Sequence, residues 1–126
     1  MRRISIVILF ALIPLFTLAT AQAGELVKVS VETLYKDKVA LNGKLVQLQG
    51  KIVKVNNGIM GRNFLHLQDG SGSEAAGNND LTITSSETAQ AGDEVTILGV
   101  VVVDHDFGSG YRYPLLVEEG VITKKK

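Results

Sequence analysis

Val31, Leu34 and Tyr35 recur at helical spacing directly after Ser30. A serine hydroxyl in that position accepts a hydrogen bond from an unpaired amide of the first turn. The spacing therefore predicts one short helix from Ser30 to Asp37 or Lys38, ended before Asn42-Gly43, with Gly24 to Ser30 as a leader. From Lys44 the period becomes two. Val46, Leu48 and Ile52 fall on one face, and Gln47, Gln49 and Lys51 on the other. Gly50 interrupts this strand, and the apolar set then moves to Val53 and Val55, so the pattern predicts a long strand bent at Gly50. Asn56-Asn57-Gly58 reads as a turn.

Phe64 to Gln68 forms the second predicted strand, with Leu65 and Leu67 facing inward and Phe64, His66 and Gln68 outward. A polar, small-residue loop follows over residues 73–79. Leu81 and Ile83, interleaved with Thr82 and Thr84, mark a third strand, and Ser85 to Ala91 leaves room for a helical turn. Glu94 to Val103 is nearly continuous in β-branched residues and predicts a strand buried on both faces or closing a barrel. Asp104 to Arg112 reads as a glycine-containing loop, and Tyr113 to Val121 as the last strand. Five strands are too few for two good sheets, whereas closing one sheet on itself removes its exposed edges. The expectation is an all-β, five-stranded barrel with a short N-terminal helix.

Arg2 and Arg3, the apolar run from Ile4 to Leu18, and Ala21-Gln22-Ala23 have the three-part layout of a secretory signal, which is removed from the mature protein. An uncleaved anchor is the competing reading, but a run this short, broken by Pro14, falls below the ~20 residues a span requires. The chain divides into a signal peptide (1–23), a leader with the helix (24–43), the barrel (44–122) and a basic tail (123–126). A periplasmic or secreted protein of about 100 residues with no membrane span is expected, enough for one modest core. No cysteine is present, which excludes disulfides, thiol chemistry, thiolate metal sites and a lipid-modified cysteine after the signal. Two of the 13 basic residues leave with the signal, while all 13 acidic ones stay, so the mature chain is slightly acidic. Proteins that hold nucleic acid by neutralising phosphates normally show a basic excess or stripe.

Gly50-Lys51-Ile52 in the bent strand and the run from Phe64 through Gln68 to Asp69-Gly70-Ser71-Gly72 resemble the anticodon-binding type of oligonucleotide/oligosaccharide-binding (OB) fold. Its second strand typically reads Phe-x-x-Leu-x-Asp-x-x-Gly. The resemblance covers roughly residues 44–122 and implies a Greek-key OB barrel. The segments around Gly58–Phe64 and Asp106–Tyr113 also resemble a group of small exported bacterial OB proteins described as nucleotide- or nucleic-acid-binding. Phe64 matches the aromatic on which relatives stack a base, and Gln68 stands where they often carry a basic side chain.

OB barrels bind across the face of their second and third strands, flanked by the loops joining strands one to two and four to five. In this sequence those loops are residues 56–63 and 104–112. Arg62, Phe64, His66, Phe107, Tyr111 and Arg112 are accordingly the expected ligand-binding residues, with Tyr113 and His105 beside them. For Phe64 the competing expectations are that it caps the barrel end with Tyr113, or that it packs beneath the N-terminal helix against Leu34 or Tyr35. His66, His105 and Met60 suggest a metal chaperone, a weaker reading, since consecutive side chains of Asp104-His105-Asp106 point apart. Neither histidine has a serine at triad spacing, and no carboxylate pair faces across strands, so catalysis and cofactors are not expected. The sequence points to a non-catalytic binding module for a small ligand, a polyanion or a protein partner. Nucleic-acid or nucleotide binding, implied by the resemblance and expected to be weak, is the alternative.

Overall fold

The computed structural model describes residues 25–125. The expected signal peptide, Gly24 and Lys126 lie outside the described residues. The fold is all-β with two short helices: β1 (Leu26–Lys28), α1 (Val31–Lys36), α2 (Lys38–Leu41), β2 (Leu45–Ile59), β3 (Arg62–Gln68), β4 (Leu81–Ser85), β5 (Glu94–Asp106) and β6 (Arg112–Lys124). No described helix is long and apolar enough to cross a membrane.

Six strands replace the expected five. The leader is not featureless, because Leu26–Lys28 pairs in parallel with Leu45–Gln47. The remaining pairings run from β2 to β3, β3 to β4, β4 to β6, β6 to β5, and from β5 back to β2. β2 reaches both β5 and β3 because it is long. Leu45–Lys51 meets β5 and Lys51–Ile59 meets β3. The parallel contact of β4 with β6 is a single register pair, Ile83 with Val117.

Interior positions follow the alternation of each strand. Val46, Leu48, Ile52, Leu65, Leu67, Ile83, Ile97, Val101 and Val117 form one buried cluster, to which α1 adds Val31 and Leu34. The inward parity of β2 does not change at Gly50, as the sequence suggested, but at a bulge around Val53. The register shifts between Ile52 and Lys54, leaving Val53 exposed and turning Val55 inward. Gly50 is required for a different reason. A Cβ there would lie 2.6 Å from the carbonyl oxygen of Gln68, where the end of β3 crosses β2.

Four further expectations are corrected. β2 runs through Asn56-Asn57-Gly58, which sits in a second bulge, and the reversal is the two-residue turn Met60-Gly61. Both turn residues have positive φ, 53° and 79°, the mirror-image turn that matches strand twist. Residues 85–91 hold no helix, and β5 buries alternate residues rather than both faces. The last strand also runs past its expected end at Val121. β6 continues to Lys124, whose ammonium lies 3.5 Å from Asp93, and the Lys125 amide donates to the Glu94 carbonyl.

Candidate functional site

β5 and β6 project beyond the pairing with β2, joined by Phe107–Tyr111. Asp104 to Asp106 and Arg112 are strand residues rather than loop, with His105 opposite Tyr113 and Asp106 opposite Arg112. Asp104 takes a positive φ of 56°, which breaks the alternation at the base of the hairpin. The hairpin folds its aromatic rings onto β3. Phe107 meets Phe64 edge-on at 5.5 Å between centroids, Tyr113 lies 5.9 Å from Phe64, and His105 packs on Phe107 at 4.2 Å. Phe64 occupies the parity opposite Leu65 and Leu67 yet is only 4% exposed. The ring packs with Tyr113 rather than beneath α1. The ring does not stand open to a ligand, and the cover over it comes from the β5–β6 hairpin.

Above this cluster lies an ionic set centred on Glu118 of β6. Arg62 Nη1 donates to Glu118 Oε2 at 3.2 Å, and its guanidinium sits 5.3 Å from the Phe107 centroid. His105 Nε2 is 3.7 Å from the same carboxylate oxygen. The structure thus joins Arg62, Phe64, Phe107, His105 and Tyr113. Of the other expected residues, Tyr111 is 54% exposed at the hairpin tip and Arg112 is exposed beside it. His66 belongs to a separate set: its Nδ1 lies 2.7 Å from Asp80 Oδ1, and Gln68 donates to the other oxygen of that carboxylate. Among the described residues no group of three or more His, Asp or Glu side chains is gathered to hold a metal. His66 and His105 face different carboxylates, and Met60 is committed to the turn.

A groove of about 420 Å³ opens beside Arg62 and Glu118. Past the single Ile83–Val117 pair, β4 and β6 form no further backbone register pair, and the end of β4 touches β6 at Gly120. The space between them is lined by Thr84 to Glu87 on one side and Glu118 to Val121 on the other, with Gly61 and Arg62 at one end. Ser85 Oγ donates to the Gly120 carbonyl at 2.5 Å and accepts from the Glu87 amide. Glu87 Oε1 accepts from the Ile122 amide at 2.7 Å. Thr84 is 2% exposed, lines the groove, and makes no side-chain hydrogen bond among the described residues. A buried hydroxyl in that state costs free energy unless something meets it.

Sequence reasoning found Arg62 but missed Thr84, Ser85, Glu87 and Glu118. The signal available was Glu118-Glu119, an acidic pair inside an otherwise apolar strand, and the hydroxyl run Thr84-Ser85-Ser86 at the end of β4. Neither shows by itself that the two segments flank one space, because they lie more than thirty residues apart. Compared with known proteins, the chain matches no protein-family model and no curated protein sequence.

Proposed function

We propose that this protein is an exported, non-catalytic binding module, built on a closed OB-type barrel, that takes its ligand in the groove between β4 and β6. The ring of pairings from β2 through β3, β4, β6 and β5 back to β2 supports the barrel reading. The observation that carries the site is the Thr84 hydroxyl, buried without a partner among the described residues in the wall of a groove of about 420 Å³. A concave space of that size with a few convergent polar groups is the usual form of a ligand site. Arg62, Glu118, Ser85 and Glu87 supply those groups.

The aromatic face that the OB resemblance offers to bases is less favourable, because Phe64 is already packed against Phe107 and Tyr113. Arg62, the basic group nearest to it, is neutralised by Glu118. A phosphate would have to displace that carboxylate, and few other cations stand near to compensate.

The test is an amide-shift titration of the isotope-labelled mature chain with one probe from each class: maltotetraose, an oligothymidylate, and a capped peptide of alternating lysine and valine. Binding in the groove shifts the amides of Arg62, Thr84 to Glu87 and Glu118 to Val121 with at least one probe. Saturable shifts confined to Tyr111 and Arg112, or no saturable shift with any probe, would overturn the assignment.

A further inference from the structure

The groove has a wall of a particular kind. β6 uses one edge to pair with β5, through Val121 with Leu98, Ile122 with Ile97, Thr123 with Thr96 and Lys124 with Val95. In an antiparallel pair, residues that exchange hydrogen bonds with the neighbour alternate with residues whose N–H and C=O point the other way. The Ile122 amide donates to Glu87 and the Gly120 carbonyl accepts from Ser85, so residues 120 and 122 are outward-facing, and Lys124 is next in that series. Over Gly120 to Lys124 no strand pairs its backbone with this second edge among the described residues, and the end of β4 reaches Gly120 only through the Ser85 side chain. A carboxylate and a hydroxyl stand instead where the carbonyl and amide of a neighbouring strand would be.

Resting on the assignment of the groove as the binding site, we propose that its occupant is an extended segment of another protein, rich in basic side chains, added as a strand along Gly120–Lys124 of β6. Main-chain pairing to an open sheet edge supplies affinity in such complexes, and side-chain pockets supply selectivity. Both are present. Glu87, Glu118 and Glu119 line the groove against one cation, Arg62, which is already paired with Glu118, while Lys124 at the far end of the edge lies outside the lining and beside Asp93. The lining is therefore complementary to lysine or arginine and repels a polyanion. Val121 is 49% exposed in the same wall and offers an apolar contact between the charges. Glu87 is the exchangeable part. It releases the Ile122 amide to a carbonyl of the incoming strand and pairs with a basic side chain, so neither group is left unsatisfied. An oligosaccharide would meet the Thr84 hydroxyl but would not need the strand edge.

The experiment uses the full mature chain and a fluorescein-labelled, capped peptide of alternating lysine and valine. Three competitors accompany it: the same peptide N-methylated at alternate residues, a version with glutamate in place of lysine, and one with threonine in place of lysine. Anisotropy is expected to show saturable binding of the lysine peptide, weakened about tenfold or more by N-methylation, since each lost hydrogen bond removes about a kcal/mol or more. The glutamate peptide is expected not to bind, and amide exchange at Ile122 and Lys124 slows in the complex. Glu87→Gln, which keeps an acceptor for Ile122, is expected to weaken the lysine peptide but leave the threonine peptide unchanged. Equal binding of the N-methylated and parent peptides, or of the lysine and glutamate peptides, overturns the inference. Groove shifts with maltotetraose or oligothymidylate alone would overturn it while leaving the site standing. No groove shift with any probe removes both.

Discussion

Phe64 and Gly50 show how single positions carry more than their strand pattern suggests. Phe64 is covered by Phe107 and Tyr113 and lies outside the main buried cluster, so it anchors the β5–β6 hairpin to β3. Shortening it removes a buried ring and both aromatic contacts. Phe64→Ala is expected to lower the unfolding free energy by about 3 kcal/mol in urea titrations, within the range for such truncations. The same variant should keep any binding in the β4–β6 groove within a few-fold, and abolished groove binding in a folded variant would argue for a direct role of the ring. Gly50 meets the Gln68 carbonyl so closely that any side chain must push β3 away from β2. Gly50→Val is expected to cost ~1–3 kcal/mol. A denaturation midpoint equal to the parent's would show that the crossing is looser than the geometry indicates.

The helix α1 shows how an element too short to stand alone is held. Six residues cannot sustain a helix by propensity, so tertiary contacts must hold it. Val31 and Leu34 plug into the main cluster, and the first-turn amides are met from three side chains. Thr33 N–H donates to Ser30 Oγ, Val31 N–H to Asp69 Oδ2, and Glu32 N–H to Ser71 Oγ. Tyr35 ties the other end down by donating to the Asp80 carbonyl at 2.6 Å. Burial of the Asp69 carboxyl pushes its pKa up, but the bonds from the Ser71 hydroxyl and the Val31 and Ser71 amides outweigh it, and the net displacement is downward. A depressed folded-state pKa means stability that is present above the ordinary aspartate value and is lost as pH falls through the folded one. Melting temperature is therefore expected to fall as the pH drops below about 4, and to fall less steeply in Asp69→Asn. Parallel pH curves for parent and variant would show that this cap does not contribute. Asp93, lowered by the Gln90 amide and by Lys124, acts in the same direction.

For the whole molecule, the balance of charge governs what it meets. Arg62, the cation beside the aromatic cluster, is paired to Glu118, and the 13 basic residues of the chain are matched by 13 acidic ones, so no basic excess is available to neutralise phosphates. Single-stranded DNA is expected to bind weakly at physiological salt, with a shallow dependence of log affinity on log salt, as measured by anisotropy with a labelled oligothymidylate. Submicromolar affinity with a steep slope would instead favour the nucleic-acid reading. The mature chain is expected to begin at Gly24. N-terminal sequencing of exported protein checks this, and retention of residues 1–23 in a membrane fraction would contradict it.

What could be read from the sequence was what depends on neighbours along the chain. The Ser30 cap and the start of α1, the inward set Val46, Leu48, Leu65, Leu67 and Ile83, and the all-β class follow from local spacing, because a period of two or of 3.6 decides which side chains share a face. Strand ends and turns followed less well. The Asn56-Asn57-Gly58 signal is real conformationally, since Gly58 has a φ of 75°, but pairing with β3 continues to Ile59 and converts the turn into a bulge. The site was the least legible. Phe64 shows the outward parity in sequence, and only the return of the β5–β6 hairpin covers it. Glu118 becomes the shared partner of Arg62 and His105, and Thr84 lines a groove with Glu87, only because β4 and β6 share a single backbone register pair and leave a groove beyond it. Contacts between residues thirty or more positions apart are set by how strands order themselves in the sheet, and that order is decided by burial of the whole core rather than by any local run of residues.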